Sequence, residues 1–229
     1  MSTPTHTSRP RDGIAAHGMS APTPPTARRA GSKVVEMSPS EGRIFGGIVL
    51  AAFLLYGIGS VLADRPMGMI LIAVNSVAVA VAGLLGFRLF RSDEHAIGAG
   101  YLAARVAEAA LLAGGIVLTQ HVDVADADTT GYLLAMIALA AGSSPFCRAL
   151  RRWRRVPRPL ATWGIYGYVA LATGALLELV SGHSVTVVLA APGGLFEIAL
   201  GAYLLSHGFR PAATPDPPNK QADQRRFHD

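Results

Sequence analysis

The chain has 229 residues, 51% of them hydrophobic and only 15% charged, too little charge for an ordinary soluble domain of this length. Its formal net charge of +5 invites a nucleic-acid reading. No aromatic stacking platform or recognised nucleic-acid fold accompanies the basic residues, however, so that partner class is set aside. A single cysteine, Cys147, excludes an intramolecular disulfide and any multi-cysteine metal site.

Residues 1–42 are rich in Pro, Thr, Ser, Ala and Gly without an apolar run. Such a segment cannot bury enough surface to fold alone and is expected to be a disordered cytoplasmic tail. It lacks the hydrophobic core and small-residue cleavage site of a secretory signal, so the first apolar run is expected to stay as an uncleaved anchor. Met37 opens MSPSEGRIFGG and serves as well as Met1 for a translation start.

Six apolar runs follow, at residues 44–62, 67–87, 98–118, 132–149, 160–181 and 186–206. At ~1.5 Å rise per residue each spans a hydrocarbon layer of about 30 Å. In lipid every backbone N–H and C=O must be satisfied within its segment. The runs are uniformly apolar rather than alternating, so helices fit and a barrel does not. The predicted fold is all-α: a six-helix transmembrane bundle over residues 43–209, with a second flexible cytoplasmic tail from Arg210 to Asp229.

The second run carries Asn75 near mid-depth. The third, GYLAARVAEAALLAGG, places Arg105 and Glu108 three positions apart, about 60° apart around a helix, with Tyr101, Leu112, Gly115 and Thr119 continuing the stripe. The following 119–131 loop holds His121, Asp123, Asp126 and Asp128. Their spacing matches no calcium loop, and no metal site is assigned.

In the fourth run, Cys147 reads as a packing residue, and Pro145 is expected to end or bend the helix. RALRRWRRVPRP, residues 148–159, then reads as a short cytoplasmic loop. Its Arg148, Arg151, Arg152, Arg154 and Arg155 set orientation and can contact anionic lipid. Trp153 and Trp163 are placed as interfacial aromatics. Glu178, near the end of the fifth run and beside His183, is expected to snorkel to the interface.

The sixth run contains AAPGGLFEIALG, where Gly193, Glu197 and Gly201 recur every four residues. A carboxylate is thus flanked by two positions where another backbone can approach closely. Pro192, with Gly193 and Gly194, is expected to kink or break the helix.

Apart from Arg148 at the boundary of the fourth run, only Arg105, Glu108, Glu178 and Glu197 are formally charged within the runs. At mid-bilayer each costs on the order of 2.5 to 3.5 kcal/mol, so they should face the bundle interior. Counted from the inner span ends at ~1.5 Å per residue, Arg105 lies about 10 Å deep, Glu197 about 14 Å and Glu108 about 15 Å. The guanidinium can fork between the two carboxylates, with Asn75 as a neutral neighbour. Two carboxylates against one guanidinium leave an excess negative charge that calls for a proton, a bound cation or another donor.

Eighteen of the 20 Lys and Arg precede the first run, follow the second or fourth, or lie in the C-terminal tail. The positive-inside bias therefore predicts a multi-pass protein of a bacterial cytoplasmic membrane with both termini cytoplasmic.

The stretches RIFGG at 43–47, GYLAARVAEA at 100–109, PLATWGIYGY at 159–168 and APGGLFEIALGAYLLSHGF at 191–209 resemble the bacterial integral-membrane family catalogued as domain of unknown function number 4386. The resemblance covers Arg43 to Phe209 and implies a six-helix membrane protein; it carries over no catalytic role or cofactor.

No phosphate-binding glycine loop, HExxH pair or GxSxG elbow is present, and a non-enzymatic role is preferred. The site predicted to take a ligand or proton comprises Arg105, Glu108, Glu197 and Asn75. Alternatives are a proton- or solute-coupled transporter and a structural, partner-binding protein whose ion pairs only fix helix register.

Overall fold

The computed structural model describes residues 38–92, 94–121 and 127–211. They form six helices: α1 Pro39–Val61, α2 Pro66–Phe90, α3 His95–His121, α4 Ala127–Arg152, α5 Arg158–Ser181 and α6 Thr186–His207. Each is long and apolar enough to cross a bilayer, and no strand occurs among the described residues. Outside them fall most of both tails, Met37 included, together with Asp123, Asp126 and the side chains of Thr119, His121 and Asp128.

Local chemistry sets several helix ends. The Ser38 hydroxyl accepts from the Glu41 N–H at 3.3 Å, while Oε2 of Glu41 accepts from the Ser38 N–H at 2.8 Å. This reciprocal box, with Pro39 in the first turn, satisfies donors that a helix start leaves open. Residues 39–42 therefore belong to α1 rather than to the disordered tail expected to run to residue 42. At the far end of α5, Gly182 adopts a left-handed φ of 69° and returns its N–H to the Glu178 carbonyl at 2.8 Å, the chain reversal glycine permits.

Neither α4 nor α6 ends or breaks at its internal proline. α4 continues through Pro145 to Arg152, because Phe146, Cys147, Ala149 and Leu150 are buried on its C-terminal side and that packing outweighs one lost backbone bond. α6 likewise runs unbroken through Pro192, Gly193 and Gly194. In the bilayer, fraying there would expose backbone groups that lipid cannot satisfy.

Each helix packs on its chain neighbours, and α6 returns against α1. The six thus close around a common interior, with α4 drawn furthest in: 61% of its span is buried, against 28 to 39% for the others. The outward surfaces of the remaining helices carry Val61, Val77, Val180 and Leu205, all exposed, as suits contact with hydrocarbon.

Short connections make successive helices antiparallel and define two faces. The terminal face holds the start of α1, the α2–α3 and α4–α5 turns and the end of α6; the opposite face holds the other three turns. Near the terminal face Phe45, Phe90, Tyr101, Phe146 and Phe209 are buried together. Tyr101 stacks on Phe146 at 4.0 Å, Phe90 meets Phe146 edge-on at 5.4 Å, and Phe45 lies 5.5 Å from Phe209. Arg155, expected among the lipid-facing arginines, is instead buried. Its carbonyl accepts from the Arg210 N–H at 2.9 Å and its Nη1 donates to the Arg210 carbonyl at 3.4 Å, because the chain after α6 folds back over the α4–α5 turn.

Candidate functional site

Close glycine contacts aim the charged residues inward. A side chain at Gly46 would meet the Gly201 carbonyl at 2.7 Å, and one at Gly167 would meet the Gly193 backbone at 2.9 Å. Gly201 therefore seats α6 on α1, and Gly193 seats it on α5, with Glu197 held between the two contacts. On the other side of the bundle a side chain at Gly83 would meet the Arg105 Cβ at 2.8 Å, so α2 makes room for the arginine stem.

Nη1 of Arg105 donates to Oε2 of Glu108 at 2.7 Å and lies 3.8 Å from Oε1 of Glu197. The structure thus brings together the three charged residues singled out by sequence. The first contact is a charge-assisted hydrogen bond between side chains only 4% and 6% exposed; the second is a looser ion pair with a Glu197 side chain 18% exposed. Tyr101 adds its ring face 5.7 Å from the guanidinium carbon, a cation–π arrangement. Tyr168, which sequence reasoning missed, donates its hydroxyl to Oε1 of Glu197 at 2.8 Å. Its only signal was a hydroxyl placed mid-span in the fifth run.

Arg105, Glu108, Glu197 and Tyr168 form the floor of a cavity of about 500 Å³ to which all six helices contribute. Asn75 lines it as well, and is almost wholly buried. Above the floor the walls are Val79, Leu112, Met136, Leu139 and Leu171, with Tyr56 and Tyr132 stacked 6.2 Å apart. The lining residues come from the middle of α2, α3 and α5 and from the opposite-face halves of α1, α4 and α6. The cavity therefore occupies one half of the bundle, and the aromatic layer fills the other. Among the described residues, Oδ1 of Asn75 and Nε of Arg105 have no hydrogen-bond partner although both are buried. Unmet polar atoms are costly at such depth.

Glu178 lies half-exposed near the end of α5. Its Oε2 accepts the Thr186 N–H at 2.9 Å and so caps the start of α6 across the α5–α6 turn, where the helix dipole favours a carboxylate. At the terminal face Trp153 donates to Oε1 of Glu94 at 2.8 Å and Arg152 pairs with the same oxygen at 3.2 Å. Trp153 is thereby tied into the protein, and Arg152 is paired as well as surface-facing. Among the described residues no three His, Cys, Asp or Glu side chains gather where they could hold a metal ion.

Six apolar spans around a one-sided cavity with a charged floor define a multi-pass integral membrane protein. Residues 117–208 match the family described as Domain of unknown function (DUF4386), which bears out the family named from the sequence over that segment. The matched segment contains Tyr168, Glu178 and Glu197; Asn75, Arg105 and Glu108 lie before it. No curated protein and no solved structure matches the chain.

Proposed function

We propose that the protein binds a small molecule within the membrane, in the cavity floored by Arg105, Glu108, Glu197, Asn75 and Tyr168. The observation that carries this reading is the coincidence of about 500 Å³ of space with the charged and polar side chains Arg105, Glu108, Glu197, Asn75 and Tyr168 lining it. A purely architectural ion-pair network has no use for such space; interiors normally close to crystal-like density. The volume lies within the ~300 to 1,000 Å³ of small-molecule sites.

A carrier role is the second reading, favoured by one feature. The cavity lies toward the opposite face alone, while Phe45, Phe90, Tyr101 and Phe146 fill the bundle toward the terminal face. A solute-coupled transporter needs such a one-sided state and its mirror.

Native mass spectrometry on protein extracted from its own membrane tests the binding reading. A small molecule is expected on the wild type and is expected to be lost from Glu197→Gln measured below its own, lowered, melting temperature. A wild type that carries no such molecule, with Arg105→Ala affecting stability alone, would favour the structural alternative.

We further propose that both termini face the cytoplasm of a bacterial inner membrane, with the exposed Arg148, Arg151 and Arg154 beside anionic headgroups, from the basic bias of the terminal face. A reporter fused after Asp229 that is active only outside the cytoplasm should stay silent. Activity of that fusion would invert the topology.

A further inference from the structure

Most residues lining the cavity are buried or half-buried, as interior positions should be. Six are exposed: Phe53 and Gly57 from α1, and Val187, Ala191, Leu195 and Ile198 from α6. A residue that lines a cavity and is also open to the outside stands at its rim, and these six come from two helices alone. Val187, with 75% of its surface exposed, and Leu195 lie on the outward face of α6. The rim is a lateral window between α1 and α6.

The helix contacts explain why it opens there. Toward the terminal face α1 and α6 touch backbone to backbone at Gly46 and Gly201, and again where Gly42 faces Gly208 and Phe209. Further along, α1 turns its glycine contacts to α2: a side chain at Gly59 would meet Ile72 at 2.8 Å. α1 therefore leaves α6 for α2 as it approaches the opposite face, where the Phe53 ring lies against Gly194. Gly57 lies about 6 Å from the end of α1 at ~1.5 Å per residue, still within the span. No rim residue is polar, so the window faces hydrocarbon rather than water.

We propose that the cavity takes its ligand from the bilayer through this window, and that the ligand is a single-chain amphiphile whose small head is neutral or cationic and carries an N–H or O–H donor. This rests on the binding reading above and names its ligand class. The tail lies along the rim while the head reaches the floor. There the Glu197 carboxylate, the most accessible charged group of the floor with its side chain 18% exposed, accepts a hydrogen bond from the N–H or O–H of the head. Arg105 is engaged by Glu108 at 2.7 Å, so the carboxylate left facing the cavity is Glu197, which repels an anionic head and attracts an ammonium. A fatty-acid anion is thereby disfavoured, and a long-chain alcohol, amine or amino alcohol suits the site.

The test uses the full chain in zwitterionic-lipid nanodiscs with a photoactivatable dodecylamine, labelled peptides being mapped by mass spectrometry. Labelling is expected on the segments around Phe53 to Gly57 and Val187 to Ile198. Dodecylamine and dodecanol should compete, and dodecanoate should compete at least about tenfold less well, a difference of about 1.4 kcal/mol. Gly57→Trp, where an added Cβ meets nothing within 4 Å, should cut labelling several-fold without loss of yield. Cavity labelling by a short photoactivatable ethylamine, insensitive to Gly57→Trp, would overturn entry from the bilayer and leave the binding reading standing. Labelling spread evenly over all outward helix faces, with no label from the short amine in the cavity, would overturn both.

Discussion

The Tyr168 hydroxyl donates to Oε1 of Glu197 across the α5–α6 contact at 2.8 Å, and that oxygen also lies 3.8 Å from the Arg105 guanidinium. Tyr168 therefore holds Glu197 where it can answer to the arginine of another helix. Its ring stands edge-on to Phe196 at 5.7 Å, so Tyr168→Phe keeps the packing and removes only the donor. A hydrogen bond to a charged acceptor contributes about 1.5 to 3 kcal/mol. The variant should melt several degrees lower in detergent and lose ligand retention; unchanged values for both would remove Tyr168 from the site.

The Arg105 and Glu108 pair invites a double substitution. Arg105→Met leaves two carboxylates enclosed without their cation, a loss on the order of 3 to 5 kcal/mol for a buried pair. Adding Glu108→Gln removes one stranded charge, so the double variant should be more stable than Arg105→Met alone. Chemical denaturation of the purified variants measures this coupling. A double variant no better than the single would mean that Glu108 does not depend on Arg105 for its place in the core.

The spans and the charged cluster were legible because hydrocarbon is an exacting solvent: a run of about 20 apolar residues has one backbone solution, and a charge within it has one direction to face. The spacing of Gly193, Glu197 and Gly201 announced close backbone approach, and the structure assigns Gly193 to α5 and Gly201 to α1. What stayed hidden depended on neighbours distant in sequence. Arg155 reads as one more basic loop residue until the chain after α6 covers it. Tyr168 reads as an ordinary aromatic until α6 places Glu197 beside it. That the helices run on through Pro145 and Pro192 could not be told from a local rule, which cannot weigh the packing on either side. The cavity itself has no sequence signature, being space left where α1 departs from α6.

Glu178 offers a contrast between two carboxylates in the same bundle. It caps α6 through the Thr186 N–H, whereas Glu197 belongs to the floor network. Glu178→Ala should quicken hydrogen exchange at the first amides of α6 and leave ligand retention intact. Glu197→Ala should destabilise the protein more, since it leaves Arg105 less well paired. Equal melting temperatures for the two would contradict that ranking, and an unaltered exchange rate at Thr186 would remove the capping role.

Glycines of one helical type should respond oppositely to the same change. An added methyl at Gly46 would sit 2.7 Å from both the Gly201 carbonyl oxygen and the Leu205 nitrogen, inside the α1–α6 contact. Neither backbone atom can move without shifting a helix, and overpacking of this kind costs about 1 to 3 kcal/mol. At Gly114, in the middle of α3, the same methyl meets nothing within 4 Å. There the helix propensity of alanine, better than glycine by about 0.8 to 1 kcal/mol, acts unopposed. Gly46→Ala should therefore lower the melting temperature and Gly114→Ala hold or raise it. Because Gly46 fixes the end of α1 from which the helix diverges, its substitution should also alter the window: labelling at Phe53 and Leu195 should change in Gly46→Ala and stay constant in Gly114→Ala. Identical labelling in both variants would show that the α1–α6 glycine contact does not control the opening.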